Sequence, residues 1–127
     1  MWKVKSKTMT IITFDKPTKV SEIKKKFSDQ FPFLKLEFFK KKHKIEQGSL
    51  KKDIITDDFI IIAFDKDSAI MFSENTLVSE LEKQFDEKFK LSAQIFRKSG
   101  RTWLETTYTD SWSLKKQNEE GLELSNI

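Results

Sequence analysis

His43, the one imidazole of the chain, lies inside the lysine run Lys40–Lys44. A general base needs a neighbour that orients it, and a metal site needs further ligands. Neither stands near His43 in sequence, and a solvated loop is the plainer reading. There is no cysteine, which removes thiolate nucleophiles, disulfides and Cys-based zinc sites together. Three glycines are too few for a glycine-built phosphate cradle, and no such motif occurs. Asp65-x-Asp67 has the opening of a calcium loop, but the position that needs glycine is Ile70 and the one that needs glutamate is Thr76. Asp57-Asp58 precedes an apolar run, and Thr106, Thr107, Thr109 and Ser111 have no base in view. The expectation is a protein without catalytic, cofactor-binding or metal-ligating residues, and so not an enzyme.

One stretch does concentrate chemistry. RKSGRTWLETTYTDSW, from Arg97 to Trp112, holds both arginines, two of the three tryptophans and the single tyrosine. Such residues are over-represented at protein interfaces and can stack single-stranded bases. What they do depends on the elements that carry them.

Those elements come as a repeat. VSEIKKKFSDQF (Val20–Phe31) matches VSELEKQFDEKF (Val78–Phe89) at an offset of 58. Upstream, Ile12, Phe14 and Thr18 match Ile70, Phe72 and Thr76. Downstream one residue is dropped, so that Phe39-Lys40-Lys41 matches Phe96-Arg97-Lys98. Val20, Ile23, Phe27 and Phe31, like Val78, Leu81, Phe85 and Phe89, fall at the three-and-four spacing of one helix face. Thr18 and Thr76 stand at the expected N-caps, with Glu22 and Glu80 in the first turn. Alternation makes Leu34, Leu36 and Phe38, and Leu91, Ala93 and Ile95, inward strand positions. Phe59–Phe64 lacks alternation and is expected to be a central strand covered on both faces, turning through Asp65–Ser68 into Ala69–Phe72.

The predicted fold is therefore α+β: a two-layer sandwich whose mixed β-sheet carries two helices on one face. It is built from a duplicated strand–helix–strand unit, and a ferredoxin-like variant is its simplest form. All 127 residues form one domain. Copy one spans about 8–41, a connector 42–57, the central strand 58–64, copy two about 68–98, and a C-terminal strand and short helix 101–121.

Within that frame Ser99-Gly100 is the turn of a hairpin. A two-residue turn there sets Phe96 opposite Trp103 and Ile95 opposite Leu104, with Phe96 and Trp103 on the face away from the helices, between Lys98 with Arg101 and Gln94 with Glu105. Phe39, the counterpart of Phe96, puts a ring on the same face. A partner-binding surface of Phe39, Phe96, Lys98, Arg101, Trp103 and Trp112 follows, serving a protein partner or a homodimer. The alternative is an internal lid: Asp110 or Ser111 caps a helix that Gly121 ends, and Trp112 folds back over Trp103.

From Arg97 to Gly121, and more weakly back to Val78, the sequence resembles the C-terminal signature of a group of small bacterial proteins without an assigned activity. The resemblance implies a bacterial, cytosolic setting and no mechanism.

Net charge is +4, with +7 on residues 1–63 and −3 on residues 64–127. Lys24, Lys25, Lys26, Lys40, Lys41, Lys42 and Lys44 could form a phosphate-contacting field, which gives weak, sequence-tolerant nucleic-acid binding as an alternative function. Against it, 22 of the 24 basic residues are lysine, whereas base reading favours the arginine fork. No apolar h-region follows Lys3 and Lys5, and the longest apolar run, Phe59–Phe64, falls far short of the ~20 residues of a membrane span. The expectation is a cytoplasmic, non-enzymatic binding or regulatory module acting through protein contact, with no cofactor, membrane or small-molecule substrate.

Overall fold

The computed structural model describes residues 9–40, 54–62 and 68–125. Lys41, Lys42, His43, Lys44 and the Asp65-x-Asp67 pair lie outside the described residues. In chain order the elements are β1 (Thr10–Thr13), β2 (Thr18–Lys19), α1 (Val20–Gln30), β3 (Leu34–Phe39), β4 (Ile60–Ile61), β5 (Ala69–Phe72), α2 (Val78–Phe89), β6 (Ser92–Ser99), β7 (Thr102–Glu105), a 3-10 turn (Thr107–Thr109) and α3 (Leu114–Ser125).

The architecture is an α+β sandwich of two layers. Both repeated helices bury the predicted stripe: Val20, Ile23 and Phe27 on α1, and Val78, Leu81, Phe85 and Phe89 on α2. They face Leu34, Leu36 and Phe38 of β3 and Ala93 and Ile95 of β6, all in one core. Rings lock the layers together. Phe38 meets Phe85 edge-on at 4.8 Å between centroids, and Phe27 meets Phe72 at 5.6 Å. Each fully buried ring contributes roughly 1.5–3 kcal/mol by area.

The sheet is divided. β1 pairs with β5, β2 with β4, and β3, β6 and β7 form a three-stranded sheet in that order, every pairing antiparallel. The expected single mixed sheet is replaced by these short ladders. Their register relates the two halves. Ile12 lies opposite Ile70, its counterpart at offset 58, and Glu37 lies opposite Gln94, its counterpart at offset 57. The rings follow suit, with Phe14 against Phe89 at 4.4 Å and Phe72 against Phe31 at 6.2 Å. Each half thus seals the helix end of the other.

Of the predicted central strand, residues 58–62 are described, and they form a short edge segment, with 63 and 64 outside the described residues. β4 has two residues, and of its neighbourhood Ile61 is buried while Phe59, Ile60 and Ile62 are exposed, Ile62 at 67%. Pairing to β2 alone leaves these side chains facing water. The segment has another duty, shown by the helix starts.

Neither threonine caps its helix. Thr18 Oγ1 donates to the Lys16 carbonyl at 3.0 Å, and Thr76 Oγ1 accepts from the Ser73 amide at 2.9 Å. The free first-turn amides go to distant backbone instead. On α1, Val20 N–H donates to Phe59 O and Ser21 N–H to Asp57 O, both at 2.9 Å; on α2, Val78 N–H donates to Trp112 O at 3.0 Å and Ser79 N–H to Asp110 O at 2.8 Å. Glu22 and Glu80 complete each start by accepting from the amides of Lys19 and Leu77, at 3.0 and 2.9 Å. Two short straps, Thr56–Ile61 and Thr109–Leu114, therefore hold the two helices in the same way, satisfying amides that a helix start otherwise leaves unpaired.

α3 is longer than expected and lies elsewhere. It starts after Ser113, whose hydroxyl accepts from the Lys116 amide at 3.1 Å, so neither Asp110 nor Ser111 is its cap. It continues through Gly121 to Ser125, on the face of the sheet that carries α1 and α2. Leu114 and Gln117 are fully buried there. Gly121 permits the close approach: a Cβ at that position would sit 2.9 Å from both Cβ and O of Phe33 and 3.2 Å from Cγ of Arg97. Gly121→Ala sets two effects against each other. Helix propensity favours alanine by about 1 kcal/mol, and overpacking against a backbone carbonyl costs about 1–3 kcal/mol. The expected result in urea titration is a net loss of stability. A gain would place α3 farther from Phe33 than described.

Candidate functional site

The hairpin of β6 and β7 turns through Gly100-Arg101. Lys98 lies opposite Trp103, Ser99 opposite Thr102, Arg97 opposite Leu104 and Phe96 opposite Glu105. The predicted pairing of Phe96 with Trp103 is thus displaced by two residues. Gly100 supplies the reason: its φ is +60°, and hairpin turns that place glycine at the first central position need this conformation there. A slip of two keeps every side chain on its predicted face. Phe96, Lys98 and Trp103 point away from the helices. Leu104 shares the opposite face with Ile95 but lies beyond the helix layer, 44% exposed, while Ile95 is fully buried.

On the outer face the rings carry ammonium groups. Lys35 Nζ lies 5.4 Å from the Phe96 centroid and 5.3 Å from that of Trp103, and Lys98 Nζ lies 5.4 Å from the Trp103 centroid. Such contacts are each worth about 0.5–1 kcal/mol at a partly exposed site. Both rings remain half-buried. Lys35 also approaches Glu37 at 3.8 Å, whereas Lys98 and Arg101 form no ion pair among the described residues. Lys35 belongs to the site and was missed, because its place depends on the β3–β6 register, which the sequence alone does not specify.

Trp112 is not a lid on Trp103. It lies on the helix side, with the Arg97 guanidinium 5.6 Å and Lys116 Nζ 4.3 Å from its ring. Gln117 anchors this corner, accepting from Arg97 Nη1 at 2.9 Å and donating to the carbonyl and hydroxyl of Thr109 at 2.8 and 2.7 Å. Trp112 belongs to a strap because its carbonyl holds α2. Phe39 also leaves the predicted cluster. It is 5% exposed and pairs with Ser92, while Phe96 pairs with Lys35, so the two lie about 13 Å apart along the ladder. Arg101 stays at the turn, exposed.

Two lysines of the first-half field, Lys24 and Lys25, are engaged within the chain. Lys24 Nζ bridges Glu37 at 3.0 Å and Asp57 at 2.7 Å, and Lys25 pairs with Asp29 at 2.9 Å. Burial lowers the Lys24 pKa, but hydrogen bonds to Asp57 and Glu37 outweigh it, and the net direction is up. Lys26 and Lys40 are exposed.

The same corner in the second half has the opposite charge. Glu82 stands where Lys24 stands, Gln94 where Glu37 stands, and Asp110, in the second strap, where Asp57 stands in the first. Glu82 Oε2 is buried with no hydrogen-bond partner. Burial pushes the Glu82 carboxyl up to about 7. A backbone hydrogen bond at Ile95 opposes the shift, and the charges of Asp110 and Glu105 add to it. Among the described residues no group of three or more His, Cys, Asp or Glu could hold a metal ion, and no helix is long and apolar enough to cross a membrane. The sequence carried a signal for the straps, TDDFII against TDSWSL, but at an offset of 53, outside the frame of the main repeat.

In comparisons with known protein families, curated proteins and solved structures, the chain matches none.

The Glu82 corner predicts a pH dependence. Its folded pKa is raised from 4.5 to about 7, so its contribution favours the fold fully below 4.5 and is lost as pH rises through 7. Unfolding free energies for wild type and Glu82→Gln should diverge across that window, with the variant favoured above it by on the order of 2 kcal/mol. A difference that does not change with pH would mean that Glu82 is ionised and solvated in the fold.

Proposed function

We propose that this protein is a non-enzymatic cytosolic binding module whose partner is another protein, engaged through Trp103 and the sheet edge that carries it. The observation behind this reading is the position of Trp103 on the outermost strand of the three-stranded sheet, on the face away from all three helices, flanked by Lys35 and Lys98. A half-buried indole is the kind of anchor that dominates interface centres, and the flanking lysines give it a charged rim. The cytosolic setting rests on the sequence resemblance of Arg97–Gly121.

Nucleic-acid binding through the first-half lysines is the weaker reading. Lys24 and Lys25 are committed to carboxylates.

Selection of peptides from a composition-blind display library tests the proposal without presupposing which protein the partner is. Ligands should emerge whose contacts map to Lys35, Lys98 and residues 102–105. Trp103→Ala should weaken them at least tenfold and cost no more than about 2 kcal/mol of stability, since the ring is only half-buried. Selection that yields no ligand, or ligands indifferent to Trp103→Ala, would overturn the assignment.

A further inference from the structure

The partner class can be read from the main chain beside Trp103, an inference that rests on the proposed function. In an antiparallel ladder, residue pairs alternate between those that exchange two main-chain hydrogen bonds and those that exchange none. Thr106 N–H donates to Ile95 O at 3.2 Å, and Lys98 N–H points the other way, to Phe33 O of the β3 side, at 3.0 Å. The bonded pairs of the hairpin are therefore Arg97 with Leu104 and Ser99 with Thr102. The pairs Lys98 with Trp103 and Phe96 with Glu105 are the unbonded ones. It follows that N–H and C=O of Trp103 and Glu105 point away from β6, to an edge where no described strand lies. Thr102, Leu104 and Glu105 are all exposed there.

An open edge is a template for another strand, and proteins blunt such edges with lysine, proline or a bulge. β7, Thr-Trp-Leu-Glu, carries no lysine, proline or bulge; its four-residue length and the charge of Glu105 are the features that limit pairing with an arbitrary strand. Its surroundings carry an excess of positive charge, Lys35, Lys98 and Arg101 against Glu105 and a Glu37 that Lys24 also engages. Lys98 and Arg101 form no ion pair among the described residues, and Lys35 shares Glu37 with Lys24. The carboxylate on β7 itself, Glu105, accepts from the Thr107 hydroxyl at 3.4 Å. A second copy docked edge to edge would bring two sets of these cations together, and like charges across a pairing are unfavourable. A nucleic-acid base would need the indole face that Lys35 and Lys98 already flank, and would leave the free amides unread.

We infer that β7 receives an extended acidic peptide segment by strand addition, its backbone bonding to Trp103 and Glu105 and its carboxylates meeting Lys35, Lys98 and Arg101. Strand addition takes affinity from main-chain hydrogen bonds and specificity from alternate side chains, and the outer face supplies both.

The test uses the full chain and a capped peptide alternating glutamate with valine, followed by amide chemical shifts at low and moderate salt. Three further probes accompany it: the lysine–valine version, the acidic peptide N-methylated on the amides that would face β7, and a single-stranded oligonucleotide. The acidic peptide should shift the Trp103 and Glu105 amides and weaken with salt. Its Kd should rise at least tenfold on N-methylation, in the lysine version and in Lys98→Glu, whose folding is checked by its own amide spectrum. Equal binding by the lysine or N-methylated peptide overturns the inference, as does tighter binding of the oligonucleotide at the same residues. If the acidic peptide fails while library-selected ligands still contact Trp103, the partner class is wrong and the site stands. If neither binds, both fall.

Discussion

The ladder between β3 and β6 is the constraint on which the rest of this structure depends. Its register decides that Leu34, Leu36 and Phe38, with Ala93 and Ile95, face the helices. It decides equally that Lys35 and Phe96 share the other face, where Trp103 joins them. A shift of one residue would exchange the two sets and expose the core. The helices lie against this ladder because their apolar stripes match it, and each helix start is held by a strap from elsewhere in the chain.

The two straps hold their helices alike, but the corners beside them differ in charge. In the first, the corner between helix, strand and strap is closed by Lys24 with Glu37 and Asp57. In the second, the equivalent place holds a carboxyl near two carboxylates. One arrangement offsets the desolvation of charge by pairing; in the other, burial moves the carboxyl toward its neutral form. That corner of the first half is thus closed by opposite charges, while the second half extends into a hairpin and α3. Most of the candidate surface belongs to that extension, with Lys35 of β3 beside it.

Much of this was legible in the residues. Three-and-four spacing located α1 and α2 almost to the residue, since helix periodicity is a local property. Alternation put Trp103 on the outer face, and that survived a register error because a slip of two preserves parity. The failures concern partners far away in the chain. Thr18 and Thr76 looked like caps, but carbonyls of the straps took the amides. Gly121 looked like a helix end, but a glycine needed for close approach to Phe33 has the same letter. Phe59–Phe64 looked central because it is apolar, yet Phe59–Ile62 lies at an edge where Ile61 alone is buried. Trp112 looked like a cover for Trp103 until the placement of α3 put it across the sheet. Lys35 could join the site only once β3 and β6 were paired.

Amide hydrogen exchange across β7 in the free protein tests the central claim most directly, namely that Trp103 lies on an open edge facing away from the helices. The bonding pattern requires slow exchange at Leu104, whose amide faces β6, and fast exchange at Trp103 and Glu105, whose amides face outward. Protection at Trp103 and Glu105 would mean that the edge is already occupied or that the register is wrong, and the account of this surface would be contradicted.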